Sequence, residues 1–398
     1  MTTHRALVLA AGLAAGVAPA LSAQVELRAI FGTSASDVWV VGDAPAALHW
    51  DGQAWNEMPF GVALPGSLHG VWASGPRDVV AVGDNGTVLH FDGGTWSTMT
   101  VPTSQQIVAV LGRGAGDVYA LAQSSNDREA PQLLHYDGHA WTATALPLPF
   151  RANALALAGR DVVVAGFVFW DPQPNARRQA GVVARWSGGR WTTTGWDGQK
   201  VADPVAGAAG WTGLSTAGAT LLLFGQREDG TTAIATSTGG PWTLLPPAAS
   251  AMSRTRIQWV TLAGDATPVA LYDGDGFARF ASGRWTPVSG QGSMMQMMYG
   301  QAQPGATPEQ QQAAIARQQQ LMAQMQSNPM LMAVRMQAFN MSRALAVWGT
   351  SAADFYVTTG EGRIVHVVGD QPSIVYDAAC ADPSGAANPI CQALQAGH

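Results

Sequence analysis

The sequence predicts an all-β fold assembled from a repeated four-stranded antiparallel unit, and three observations support this prediction. A unit beginning near Leu68 recurs along most of the chain, and within it four short β-prone runs alternate with tight turns. The turns contain Asn-Gly and Gly-Gly pairs, which tolerate the positive φ that two-residue hairpin loops require. The composition agrees, since only 12% of the 398 residues are charged and 46 are glycine. Such a composition is typical of all-β proteins with many turns.

Seven copies of the unit follow one another along the chain. They span residues 27–59, 68–102, 107–147, 152–195, 212–246, 257–289 and 344–378. Six copies close with a tryptophan, every 41 to 51 residues: Trp55, Trp96, Trp141, Trp191, Trp242 and Trp285. One unit cannot bury both of its faces, and a period in the forties with four strands per unit is typical of β-propellers. We therefore predict a seven-bladed β-propeller of four-stranded antiparallel blades; six or eight blades are the alternatives because the fifth copy is degenerate.

The repeated residues also carry a resemblance to a known group of proteins. Residues 347–354 read Val-Trp-Gly-Thr-Ser-x-x-Asp, and residues 82–90 read Val-Gly-Asp-x-Gly-Thr-x-Leu-His. Together with the closing tryptophan, these motifs resemble the blades of secreted bacterial β-propeller repeat proteins, in the style of the BNR (Asp-box) and kelch-like groups. An Asp box places its tryptophan five residues after the aspartate, whereas Asp92 precedes Trp96 by four. The resemblance implies the fold and does not specify an activity.

The two ends of the chain predict an exported protein with a disulfide. Residues 1–23 read as a signal peptide, with an apolar run from Ala6 to Ala18 and small residues before a cleavage point after Ala23. A membrane anchor is the alternative, but the run is too short to span a bilayer. Cys380 and Cys391 are expected to form a disulfide in the tail 379–398, as suits a periplasmic or secreted protein. The net charge of −6 argues against nucleic acid as a partner.

Blades 1–6 are assigned to residues 24–290 and blade 7 to residues 344–378, with a foreign insertion at 291–343 between them. The insertion is rich in Met and Gln, and Thr307-Pro308 is a favourable helix start. Asn328-Pro329 restarts a second helix, so we predict an α-helical hairpin. Its methionines are expected to pack the hairpin. Cu(I) binding is the alternative, with the thioethers of one short stretch as ligands: Met294, Met295, Met297 and Met298.

The connections between strands divide unequally between the two faces of the predicted disc. We name the strands of a blade a, b, c and d; the a–b and c–d turns share one face, called here the short-turn face. The b–c and d–a connections share the opposite, long-loop face. All the long connections, including residues 123–132, 169–179 and 196–210, belong to the long-loop face. Long loops on a rigid repeat commonly carry binding, so we expect the functional site there. The units begin and end in phase with the chain, so we expect ring closure without an exchanged strand.

Two polar residue types recur at equivalent positions and are interpreted as structural. His49, His90, His135 and His366 fall on the c strands, where copies 4 and 6 carry Arg185 and Arg279. Aspartates start the b strands, at Asp37, Asp78, Asp117, Asp161 and Asp354, and are expected to cap the a–b turns. A position that repeats around a ring is more simply explained by folding than by a metal site. Residues that do not repeat are therefore the candidates for function.

The function predicted from these observations is a non-enzymatic binding or scaffold module without a cofactor, which acts as a monomer. Its partner is expected to be a protein or a cell-surface glycan. Candidate binding residues are Trp170, Asp171, Arg177, Arg178, Trp196, Arg227 and Arg363. The alternative is a sialidase- or lyase-like enzyme that uses carboxylates and arginines on the same face. No catalytic residue is assigned, because the sequence lacks the hydrolase, zinc-protease, P-loop and dinucleotide-binding motifs.

Overall fold

The computed structural model describes most of the repeat region. The described residues are 25–43, 46–126, 129–170, 178–196, 201–202, 208–227, 229–247, 257–272, 276–288, 343–380 and 390–392, with a few single residues between 307 and 338. Among these residues, no helix is long and apolar enough to cross a membrane. The predicted signal peptide, residues 1–23, lies outside the described residues.

Seven separate antiparallel sheets form the molecule, and each is built from consecutive strands in the order a-b-c-d. Blade 1 comprises β1 (Leu27–Ser34), β2 (Asp37–Gly42), β3 (Ala46–Trp50) and β4 (Trp55–Pro59), and blade 2 comprises β5 (Leu68–Gly75), β6 (Asp78–Gly83), β7 (Val88–Phe91) and β8 (Trp96–Thr98). Blade 3 comprises β9 (Gln106–Gly114), β10 (Asp117–Gln123), β11 (Gln132–Tyr136) and β12 (Trp141–Ala145). Blade 4 comprises β13 (Arg151–Ala158), β14 (Asp161–Trp170), β15 (Arg178–Ser187) and β16 (Arg190–Trp196), with a fifth strand, β17 (Val201–Ala202), that the sequence did not predict.

The remaining three blades follow the same pattern. Blade 5 comprises β18 (Ala208–Ala217), β19 (Thr220–Arg227), β20 (Thr232–Ser237) and β21 (Thr243–Leu244), and blade 6 comprises β22 (Ile257–Leu262), β23 (Pro268–Tyr272), β24 (Phe277–Ala281) and β25 (Arg284–Val288). Blade 7 comprises β26 (Ala344–Ser351), β27 (Asp354–Thr359), β28 (Arg363–Val368) and β29 (Gln371–Asp377). Four-stranded blades and their number, seven, are therefore confirmed.

The hydrophobic core lies between neighbouring blades, and the closing tryptophans help to form it. Trp96 at the start of a d strand meets Trp39 on the b strand of the preceding blade, with ring centroids 6.0 Å apart. Trp55 contacts Tyr356 of blade 7 in the same way, at 6.0 Å. The c–d turns beneath these rings are tight: Gly52 and Gly93 have φ of 91° and 93°, as the Gly-containing turn motifs predict. These closing tryptophans thus pack their blades against the preceding ones.

The ring closes by packing of blade 1 against blade 7, without strand exchange, as predicted. All four strands of blade 7 are contiguous in sequence, and the a strands of successive blades contact one another, including β26 with β1. The seam has its own apolar cluster, in which Leu27 and Val38 of blade 1 pack with Tyr356 and Ile364 of blade 7. Hydrophobic burial therefore closes the ring where many propellers would use a shared sheet.

The helical hairpin predicted for residues 291–343 is not supported. Apart from single residues, this segment lies outside the described residues, as do Met294, Met295, Met297 and Met298. One described residue of the insertion, Ala338, is fully buried in the apolar cluster that joins blades 6 and 7. The insertion is therefore anchored near its second half, at the seam where the sequence places it.

The predicted disulfide between Cys380 and Cys391 is present. It follows the last strand directly, and Ile390 beside it is only 2% exposed, within the apolar cluster of blades 6 and 7. Replacing both cysteines by serine should lower the free energy of unfolding by about 3 kcal/mol, because the open chain gains conformational entropy. Urea unfolding of the double variant beside the native protein, each with and without reductant, checks this. The variant should be insensitive to reductant, and an equal response in both would contradict the assignment.

Candidate functional site

A side-chain cluster centred on an aspartate recurs on the short-turn face. In blade 1, Asp37 accepts hydrogen bonds from His49 Nε2 at 2.8 Å, from Trp39 Nε1 at 3.0 Å and from the Thr33 hydroxyl. The imidazole of His49 stacks on the indole of Trp39, with centroids 4.0 Å apart. Burial alone would raise the pKa of Asp37, but the hydrogen bonds from His49 and Thr33 outweigh it and hold the pKa below 3.8. The cluster links strands a, b and c of one blade.

Four further blades repeat this arrangement with substitutions. The pairs are Asp78 with His90, Asp117 with His135, Asp161 with Arg185 and Asp354 with His366. We expected these aspartates to cap the a–b turns, but the hydrogen-bond donors to their carboxylates are different groups. Their carboxylates accept from side chains of strands a and c rather than from turn N–H groups. Because every histidine of the set is engaged by its own aspartate, the structural interpretation of these residues holds.

Two arginines on the same face connect neighbouring blades. Arg113 donates to the carbonyl oxygens of Gly159 and Asp161 in blade 4. Arg279, in one of the two blades that lack the repeated aspartate, donates to the carbonyl oxygens of Ala352 and Gly369 in blade 7. Both arginines are therefore engaged by the neighbouring blade. In the part of the chain that the structure describes, no group of three or more His, Cys, Asp or Glu side chains is arranged to hold a metal.

The inner rim of the long-loop face carries a β-bulge in every blade, a feature the sequence did not reveal. Near the start of each a strand one residue, or two in blade 5, is skipped in the pairing with strand b: Arg28, His69, Val108, Asn153, Ala209 and Thr212, Gln258 and Leu345. Bulges re-aim side chains and are common beside functional sites. Here they mostly join blades: Asn153 donates to the Trp211 carbonyl at 2.8 Å, and Gln258 accepts from the Ala344 N–H at 2.8 Å.

Blades 7 and 1 meet at this rim through an ion-pair chain. Glu26 bridges Arg28, at 2.8 Å, and Arg343, which follows the insertion. Arg28 also donates to Asp43 at the end of the b strand, with Nε to Oδ1 at 2.8 Å. Burial alone would raise the pKa of Asp43, but the hydrogen bonds from Arg28 and Ser67 and the charge of Arg28 together outweigh it and lower the pKa. All four charges are thus compensated within the protein.

Blade 2 places a histidine at the corresponding bulge. His69 Nε2 lies 2.8 Å from Asp84 Oδ1, and Gln106 of blade 3 lies 3.0 Å from the same oxygen. The Ser67 backbone N–H donates to the second oxygen at 2.9 Å. Burial would raise the pKa of Asp84, yet the bonds from His69 and the Ser67 N–H outweigh it and lower the pKa. Because the neighbouring blade supplies Gln106, this cluster also serves as a tie between blades.

Blade 4 departs from its neighbours by projecting beyond the disc on the long-loop face. Its b and c strands have ten residues each and pair continuously out to Trp170 opposite Arg178. The hairpin contacts the a strand of blade 5, where Phe167 lies against Gly210 and Trp211 lies against Gly181. Near its end, Phe169 is 38% exposed. The hairpin β14–β15 and strands β18 and β19 together form what we call the blade 4–5 ridge.

The structure brings some of the predicted binding residues to this ridge. Trp170 and Arg178 pair near the end of the hairpin, and Arg227 ends the b strand of blade 5, opposite Ala208. Trp196 ends the d strand of blade 4, outside the ridge, where it pairs with Val201. Asp171 and Arg177 lie outside the described residues. Arg363 is instead in blade 7, where it donates to Asp377 at 2.9 Å and to Glu361 at 2.7 Å. Arg363 is therefore engaged within its own blade.

Phe169 was missed as a candidate because an aromatic residue within a long apolar strand looks like core. Its signal in the sequence is the length of the run from Asp161 to Trp170, which exceeds the other b strands. The bulge residues Arg28 and His69 were missed because a single skipped pairing leaves no mark on the alternation of apolar and polar residues.

No protein-family model matches the chain, and no curated protein sequence matches it. Among solved structures, "YCF48 bound to D1 peptide" is similar, with a TM-score of 0.53 and 12% identity over 87% of this chain and 93% of that one. The β-propeller domain of Cps50 (Swd1) from Myceliophteria thermophila has a TM-score of 0.50 and 9% identity over 88% and 96% of the two chains. At these identities the likeness concerns the fold alone, and it agrees with the strand order described above: the chain is a seven-bladed β-propeller.

Proposed function

We propose that this protein is an exported binding propeller that holds a polypeptide segment on its long-loop face, at the blade 4–5 ridge. The observation that carries the proposal is the ten-residue hairpin of blade 4, which projects over blade 5 and exposes Phe169. A projecting strand pair offers an aromatic contact on a rigid support, as peptide-binding surfaces commonly do. The opposite face offers no such feature among the described residues, since its polar clusters engage one another.

Two further observations support parts of this proposal. The disulfide Cys380–Cys391 suits an oxidising compartment, in agreement with a signal peptide at residues 1–23. One solved propeller of similar fold is described as bound to a peptide, so a seven-bladed disc of this size can hold one. A cell-surface glycan is the competing partner, and it is treated as an outcome of the experiment. We propose that the protein acts as a monomer.

The proposal is tested by shortening the blade 4 hairpin. Replacing residues 169–179 by Asn-Gly joins the paired and buried Val168 and Ala180 through a two-residue turn and leaves the blade core intact. The native protein should bind a subset of a random-sequence peptide array, and the shortened variant should lose about 90% or more of that signal, as expected when the aromatic anchor of an interface is removed.

The matched control shortens the b–c connection of blade 3, replacing residues 124–130 by Asn-Gly. Both variants are first checked for native-like thermal unfolding. The control should retain the peptide signal. Equal binding by all three proteins, no peptide binding by the native protein, or binding confined to a glycan array would each overturn the proposal.

A further inference from the structure

Arg227 differs from the other arginines of the long-loop face by having no acceptor. Arg28, Arg343 and Arg363 each pair with carboxylates. The Nε of Arg227 is buried and has no hydrogen-bond partner within the described part of the chain, and the side chain takes part in no ion pair there. A buried guanidinium N–H without an acceptor raises the free energy of the folded state. Among the described residues, Arg227 is therefore a cationic donor that lacks an acceptor.

Asp229, two residues after Arg227, does not accept from its side chain, and Glu228 lies outside the described residues. Asp229 Oδ1 accepts from the Thr231 N–H at 2.9 Å and from the Thr231 hydroxyl at 2.6 Å, which fixes the carboxylate within the turn. The hydrogen bond from the Thr231 hydroxyl is the main cause of the lowered pKa of Asp229, and the charge of Arg227 lowers this pKa less. The tight turn is closed by the Arg227 N–H donating to the Thr231 carbonyl at 2.8 Å. The turn therefore fixes the backbone of Arg227 and the orientation of the Asp229 carboxylate.

Arg227 is also placed at the proposed binding ridge. Its backbone pairs with Ala208 on β18, the strand over which the blade 4 hairpin lies. An approaching segment would meet the exposed Phe169 and the guanidinium on adjacent blades. Arginine binds a planar carboxylate through two parallel hydrogen bonds.

We propose that Arg227 anchors a carboxylate of the bound polypeptide, supplied by an acidic side chain or by a free C-terminus. This inference rests on the proposed function and adds the chemistry of the partner. It excludes uncharged and basic segments as preferred partners. An acidic sugar could present the same carboxylate, and it is tested as a separate arm.

The probes are four synthetic octapeptides with one phenylalanine: one with a free C-terminus, its C-terminal amide, an amide with one internal Glu, and its Gln counterpart. A sialyl-lactose probe forms a fifth arm. The proteins are the native chain, Arg227→Met, Arg227→Lys and the control Arg160→Met, whose arginine lies exposed in an a–b turn. We expect carboxylate-bearing peptides to bind the native protein and Arg160→Met about tenfold or more tightly than their neutral counterparts, and Arg227→Met to abolish this preference.

Two readouts separate anchoring from a structural role. Arg227→Met should leave the thermal midpoint unchanged or raised, because it removes a buried donor that lacks an acceptor. The ¹⁵N-detected Nε–H signal of Arg227, assigned from Arg227→Lys, should shift with the carboxylate peptides and remain still with the neutral ones. Equal binding of the carboxylate-bearing and neutral peptides would overturn the inference and leave the proposed function standing. A preference for sialyl-lactose would overturn the inference and indicate a glycan as the partner instead. Failure of every peptide to bind would overturn the proposed function itself.

Discussion

Replacing Asp37 by alanine should lower the free energy of unfolding by about 4 kcal/mol, because three donors lose one acceptor. Trp39 is fully buried, and its indole N–H has no other hydrogen-bond partner in the described structure. His49 and Thr33 lose the same carboxylate. Leaving a buried N–H without an acceptor costs more folding free energy than losing an exposed hydrogen bond. Equilibrium unfolding in urea, with the slope compared between variants, measures the effect.

The repeat supplies a matched control for this prediction. Asp78 holds the equivalent position and accepts from His90 and Ser74, but Val80 replaces the indole. Asp78→Ala should therefore cost about 1 to 2 kcal/mol. Adding Trp39→Phe to Asp37→Ala removes the stranded N–H, so the second change should cost less in that background than alone. Equal losses for Asp37→Ala and Asp78→Ala would show that the indole contact contributes nothing.

The pH dependence of a second substitution at this position, Asp37→Asn, tests the role of the carboxylate charge independently. The pKa of Asp37 is lowered in the folded protein, so its contribution to stability is complete above the unfolded value of about 3.9 and disappears as the pH falls through the folded value. The destabilisation caused by Asp37→Asn should accordingly be full at pH 6 and shrink below about pH 4. A deficit that stays constant down to pH 3 would show that the carboxylate charge is not responsible.

The local features of the fold could be predicted because their causes lie within a few residues. Gly52 and Gly93 adopt positive φ in turns that the sequence marks with glycine, and Trp55 and Trp96 begin the d strands. The in-phase repeats correctly implied a blade 7 built from contiguous strands. Fold class and blade number follow from these periodic signals alone.

The candidate site could be predicted only in part, because its distinctive features depend on contacts between blades. Arg227 and Arg363 looked alike in the sequence, yet one lacks an acceptor and the other is held by Asp377. His69 has the same residue type as the repeated histidines, but a bulge directs it to Asp84 and the next blade. Such distinctions arise when sheets stack, and no pattern within one blade encodes them.

A single methyl group added at the seam between blades 7 and 1 should disturb the closure of the ring. A Cβ on Gly42 would lie 2.0 Å from the Glu26 carbonyl oxygen and 3.0 Å from the Arg28 nitrogen. Both are backbone atoms at the bulge, so relief requires Glu26 to move, and Glu26 holds Arg28 and Arg343 together. Gly42→Ala should therefore destabilise the protein by about 3 kcal/mol, the upper range for overpacking, through loss of ring closure as well as steric strain.

Two alanine substitutions isolate the contribution of the seam. Gly225→Ala meets the Gly210 carbonyl oxygen at the same 2.0 Å but lies in blade 5, whereas Gly75→Ala meets nothing within 4 Å. Amide hydrogen exchange should show lost protection in β1 and β26 for Gly42→Ala, in β18 and β19 for Gly225→Ala, and no change for Gly75→Ala. Because blade 1 shares no strand with blade 7, packing and the Glu26 ion pairs must hold the seam. Unchanged protection of β26 in Gly42→Ala would show that the ring stays closed without them.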